Sequence, residues 1–98
     1  MYARVVTSQV SSDKIDELIR IWRDSAMPAA KQQKGFKSAR LLVDRQSGKS
    51  IMAVLWETQA DAEATGEGSA FGEDQRAKFA GLFTARPVVE HYEVAAEV

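Results

Sequence analysis

Residues 35–58, GFKSARLLVDRQSGKSIMAVLWET, alternate without ever producing a polar face. Read with a period of two, Ile51, Ala53 and Leu55 point one way and Met52, Val54 and Trp56 the other, and both sets are apolar. Phe36–Val43 and Ser50–Glu57 are predicted as the two strands of an antiparallel hairpin. The polar turn between them carries Gly48, which can adopt a positive φ. Upstream, Tyr2–Gln9 alternates loosely and is rich in β-branched residues, which predicts a first strand. Ile15, Leu18, Ile19, Trp22 and Ala26 recur at helical spacing behind Ser11, Ser12 and Asp13, whose side-chain oxygens can cap a helix. Pro28 is expected to end or kink that helix, because it lacks an N–H and its ring clashes with the preceding turn. Ala29–Lys34 adds a further helical turn in this reading, and Gly35 suits the C-cap.

Thr58–Thr65 reads as a short helix capped by Thr58, and Gly66–Ser69 as a break that could gate a cavity. Ala70–Phe83 resumes as helix, with Phe71, Phe79, Leu82 and Phe83 on one side. Pro87 then opens a last strand, Val88–Val94, a position a proline tolerates. The order βαββαβ predicts an α+β, ferredoxin-like unit over residues 1–98, with one four-stranded antiparallel sheet. The helical segments can cover one face of that sheet. Leaving the other apolar face wet forfeits roughly 25 cal/mol per Å², and large exposed apolar patches are rare in soluble monomers. A second copy packed face to face is therefore expected, giving a homodimer through the sheet.

Composition narrows the partners. Thirteen basic residues against fourteen acidic ones give a net charge of −1, with no basic stripe for nucleic acid. Apolar runs fall far short of the roughly 20 residues that cross a bilayer. Met1 leads almost directly into strand pattern rather than into a signal peptide, so a cytoplasmic protein is expected. The absence of cysteine excludes disulfides and thiolate metal sites, and a single histidine leaves too few soft ligands for a transition metal.

Gly35-Phe36, Leu41-Leu42-Val43-Asp44, Gly48 and Trp56-Glu57-Thr58 followed by Ala60-Asp61-Ala62 resemble the antibiotic biosynthesis monooxygenase family. The resemblance implies a dimeric α/β barrel, two ferredoxin-like subunits packed sheet to sheet. It also implies one of several activities. Some members oxygenate quinol- or anthrone-like aromatics without metal or flavin, others degrade haem, and others have no known reaction. The haem-degrading pattern of an Asn on the first strand, a Trp and a later His finds no counterpart. The chain has no Asn, the Trp position falls near Thr65, and the His position falls near Gln75.

Cofactor-free oxygenation requires a substrate anion that can reduce O₂, groups that favour the anion, and a dry cavity. Expected between helices and sheet are Trp22, Trp56, Phe71, Phe79 and Phe83 as substrate-binding walls, with His91, Arg40 and Tyr92 as candidate catalytic groups. His91 titrates in the range of a general base. Arg40 could bind an enolate or phenolate oxygen. Tyr92 lies on the strand face opposite His91, so the two are rivals for the pocket. Each also has an ordinary role: surface histidine, edge-strand charge, interface tyrosine, core aromatic. The function expected is a cofactor-independent monooxygenase-like enzyme acting on a small hydrophobic aromatic or quinol-type compound, without metal. The rival is a non-catalytic barrel that binds a small ligand.

Overall fold

The computed structural model describes every residue from Met1 to Val98. Four strands, β1 (Tyr2–Gln9), β2 (Phe36–Val43), β3 (Lys49–Trp56) and β4 (Val88–Glu93), form one antiparallel sheet in the order β2-β3-β1-β4. The expected α+β, ferredoxin-like fold is therefore present. The central strands β1 and β3 pair residue for residue from Tyr2–Trp56 to Gln9–Lys49. That register fixes two faces. Arg4, Val6 and Ser8 share the inner face with Val54, Met52 and Ser50, while Ala3, Val5 and Thr7 share the outer face with Leu55, Ala53 and Ile51. The Ser8 and Ser50 hydroxyls, both buried, satisfy each other at 2.6 Å.

One continuous helical arm crosses the inner face. A 3₁₀ turn at Ser12–Lys14 leads into α1 (Ile15–Ile21), a π turn (Trp22–Ala26) and α2 (Met27–Ala30). The Ser11 carbonyl, not a serine hydroxyl, receives the first turn's bond, from Lys14 N–H at 2.8 Å. Pro28 neither ends nor breaks the arm. The wide turn before it, in which Met27 N–H reaches back to the Trp22 carbonyl, brings Pro28 into the first turn of α2, where no N–H is needed. The arm buries Ile15, Leu18, Ala26, Met27 and Ala30 against Val10, Met52 and Phe79. Gly35, at φ +86°, then turns the chain into β2.

Helix α3 (Gln59–Ala64) starts on Thr58, whose Oγ1 accepts from Asp61 N–H at 3.1 Å. Helix α4 (Ala70–Lys78) starts on Ser69, whose Oγ accepts from Gly72 N–H at 2.9 Å. It stops five residues before the expected Phe83, because Gly81 turns at φ +88° and Phe83 bridges to Val10. No segment of the chain covers the outer face. Leu42, Val88 and Tyr92 there are 54%, 55% and 50% exposed. No helix is long and apolar enough to cross a membrane.

Candidate active site

Between the inner face of the sheet and the helices lies a cavity of about 340 Å³. Strand residues Arg4, Val6, Met52, Val54, Trp56 and Val89 make its floor. Trp22 and Ala26 of the π turn, together with Phe71, Gln75, Phe79 and Phe83, make its roof. All five aromatic residues expected to bind substrate (Trp22, Trp56, Phe71, Phe79 and Phe83) line it. The stacked rings of Phe79 and Phe83, 5.9 Å apart, form one wall. Trp56 is held edge-on by Phe36 at 5.9 Å. That contact is set by a slip in the β2–β3 ladder at Lys37, which puts Phe36 opposite Trp56.

The wall is not uniformly apolar. Four buried side-chain polar atoms lack a hydrogen-bond partner, and all four belong to residues lining this cavity: Arg4 Nε, Trp22 Nε1, Trp56 Nε1 and Gln75 Oε1. Buried polar groups are normally paired, and each orphan costs about 1–3 kcal/mol. Three are N–H donors. Gln75 is fixed through its other end, Nε2 donating to the Ala26 carbonyl at 2.9 Å. Arg4 is fixed likewise. Its Nη2 donates to the Ala62 carbonyl at the end of α3 and to Thr65 Oγ1 at 3.3 Å, and its guanidinium lies 5.7 Å over the Trp56 ring. Burial pulls the Arg4 pKa below its ordinary value.

The mouth is made by Gly66, Glu67, Gly72, Glu73, Arg76 and Arg86. Arg76 pairs there with Glu67 at 4.0 Å and with Glu73 at 3.7 Å. A Cβ on Gly72 would lie 2.2 Å from the Gly66 carbonyl oxygen, so glycine is what lets the first turn of α4 close on this loop.

The three candidate catalytic residues do not line the cavity, which corrects their expected place. Arg40 sits opposite Ala53 on the outer face and is exposed, because its neighbours Ala39 and Leu41 take the inward positions of β2. Tyr92 sits opposite Ala3 on the same outer face. The neighbouring Glu90 carboxylate raises its hydroxyl pKa. His91 does share the inner face with Arg4, but on the edge strand β4 and outside the cavity wall. Its ring stacks on Tyr2 at 6.3 Å and stays exposed. The sequence reading passed over Arg4 and did not use Gln75 as a pocket group. The available signal for Arg4 was its parity with Val6 and Ser8 along β1.

The family model for antibiotic biosynthesis monooxygenases matches residues 1–77. Two uncharacterized proteins of Mycobacterium tuberculosis, Rv2557 and Rv2558, are 41% identical over 96 residues and 38% identical over 95. These alignments span 98% and 97% of this chain but only 42% and 39% of the relatives, so the chain spans about two fifths of their length. Among solved structures, a protein of unknown function from Nitrosomonas europaea superposes with a TM-score of 0.78 at 20% identity, covering 99% of this chain and 91% of that one. The heme degrader MhuD of M. tuberculosis, solved with two hemes in its active site, superposes at 0.74 with 19% identity, covering 100% and 99%. At these identities the likeness is one of fold. The cavity here does not suit haem iron, for its wall carries no His, Cys or Tyr, and Met27 and Met52 are packed into the core.

Proposed function

This chain belongs to the antibiotic biosynthesis monooxygenase family, and from that premise we propose that it is a monooxygenase-like enzyme, cofactor-independent, that oxidises a small hydrophobic aromatic or quinol-type compound. The observation that carries the reading is the aromatic-walled cavity whose lining residues own all four orphaned buried side-chain polar atoms. In this reading a flat substrate lies against the aromatic wall of Phe79 and Phe83, with its oxygens turned toward the unpaired N–H groups. In an anthrone-type substrate a methylene carbon loses a proton, and the enolate oxygen so formed is held by N–H donors in a water-poor site. The enolate gives an electron to O₂, the radical pair joins to a hydroperoxide at that carbon, and loss of water leaves the ketone: R₂CH₂ + O₂ → R₂C=O + H₂O. The protein's part is to favour the anion and to shield it.

The subunit works as a homodimer in this reading. Val5, Ile51, Ala53, Leu55 and Leu42 make an apolar strip across three strands of the uncovered face, with Arg40 beside Ala53 and Glu90 beside Val5, and a second copy of the same face covers it by two-fold symmetry. A cytoplasmic setting accompanies the proposal.

One observation favours binding without turnover as a second reading. No histidine lines the cavity, and its only carboxylates, Glu67 and Glu73, stand at the rim against Arg76. The proton must then leave to water. Oxygen-electrode measurements over a panel of anthrones and quinols separate the two. Enzyme-dependent O₂ uptake with one atom of labelled O₂ retained in each ketone formed supports the oxygenase; tight binding with no uptake from any bound compound leaves the binding protein.

A further inference from the structure

The guanidinium of Arg4 is an uncompensated cation inside the cavity wall. Its Nη2 is tied to two neutral acceptors, the Ala62 carbonyl and the Thr65 hydroxyl, and no carboxylate lies within ion-pair distance of it. Its Nε–H is buried and donates to nothing. The two indole N–H groups of the same cavity are equally unpaired. Arg4 is half-buried, and a cation drawn that far from water without a counter-charge is costly enough that proteins ordinarily pair it. The acidic residues that could have served are held elsewhere: Glu67 and Glu73 face Arg76 at the mouth. The Nη2 bonds locate the cation without neutralising it.

We infer that the ligand is an organic anion in its resting state, an aromatic carboxylate or ionised acidic phenol, seated with its charged oxygens on Arg4 and the indole N–H groups of Trp22 and Trp56. This rests on the aromatic-ligand reading above and deepens it. There the charge develops during the reaction; here it is present on arrival. Three features of the site agree. A guanidinium offers a planar fork that matches a carboxylate. Three of the four unpaired atoms, on Arg4, Trp22 and Trp56, are N–H donors that an anion satisfies and a further donor does not; the fourth, Gln75 Oε1, is an acceptor that an anion leaves unpaired. The aromatic walls accept a ring and reject a small hydrated ion, which could not recover its hydration there.

The test is calorimetric, on the native full chain, with naphthalene-2-carboxylate and the near-isosteric naphthalene-2-carboxamide at neutral pH. The carboxylate is expected to bind at least about tenfold tighter. The two tryptophans of the chain give two indole N–H resonances, and both should shift on saturation with the carboxylate. In Arg4→Met the preference for the carboxylate should fall to within about twofold, while Arg4→Lys, which keeps the charge and loses the fork, should retain part of it. Equal or tighter binding of the amide by the native protein overturns this inference and leaves the aromatic cavity standing. So does a carboxylate preference that survives intact in Arg4→Met, since the anion then sits elsewhere. Failure of both compounds to bind sinks the inference and the aromatic-ligand reading together. The comparison within the native protein decides the matter even if Arg4→Met does not fold.

Discussion

Replacing Trp56 by Phe separates a residue kept for packing from one kept for its ligand. Trp56 is 1% exposed, and its Nε1–H has no acceptor. Truncating a buried aromatic to alanine costs about 3–5 kcal/mol. The step from Trp to Phe removes far less, roughly 40 Å³, and at about 24 cal/mol per Å³ of cavity this is about 1 kcal/mol. Against it stands the orphaned donor, whose removal returns about 1–3 kcal/mol. The ring remains for the edge contact with Phe36 and beneath Arg4. The ligand-free variant is therefore expected to lie between unchanged and about 2 kcal/mol more stable than the native protein. Denaturant unfolding at one fixed protein concentration measures this, because a dimer's midpoint moves with concentration. Affinity for an aromatic anion should meanwhile fall about tenfold, or about 1.4 kcal/mol. A loss of stability above about 3 kcal/mol would show that the indole N–H is satisfied in the free protein, and the account of the cavity as a site of unmet donors would fail.

Three further outcomes follow from named contacts. Gly72→Ala places a methyl 2.2 Å from the Gly66 carbonyl oxygen, so the start of α4 must shift from the cavity mouth; ligand affinity should drop more than about fivefold with circular dichroism unchanged, and unaltered affinity would mean the mouth does not shape the site. Leu55→Asp puts a charge on the outer face of the inner strand β3, between Ala3 and Ser38; sedimentation at tens of micromolar should report a folded monomer, and a persisting dimer would place the subunit contact elsewhere. His91→Ala and Arg40→Ala lie off the cavity, so ligand affinity should change by less than about twofold; a tenfold loss in either would mean that the site reaches beyond the wall described.

Most of the sheet was legible because period two is a strict rule. The ranges of β1 and β2 are as predicted, and the division of β3 into Met52, Val54, Trp56 and Ile51, Ala53, Leu55 is the division between cavity and outer face. The same rule is silent on which face is which, and that is why Arg4 was passed over and Arg40 was expected inside. Both are arginines in apolar strands, yet the register turns one inward and the other outward, and a slip of one residue reverses them. The aromatic wall was legible because large apolar residues at helical spacing must be buried somewhere. The polar half of the site was not, since an unpaired N–H becomes visible only once its neighbours are placed. Pro28 misled for a similar reason. The rule that proline interrupts a helix holds for evenly wound turns, and the extra residue in the turn at Trp22–Ala26 suspends it.

That extra residue is an insertion the arm absorbs without turning. The bond from Met27 N–H to the Trp22 carbonyl closes one turn over five residues, where an even helix closes it over four. Deleting one residue between Trp22 and Ala26 therefore lets an ordinary turn close in its place, and Met27 and Ala30 keep their direction relative to Ile15 and Leu18. What changes is the bulge itself, which carries Trp22 and Ala26 on the cavity roof. A natural or engineered homologue lacking that residue should be expected to keep this core and to have a differently shaped chamber.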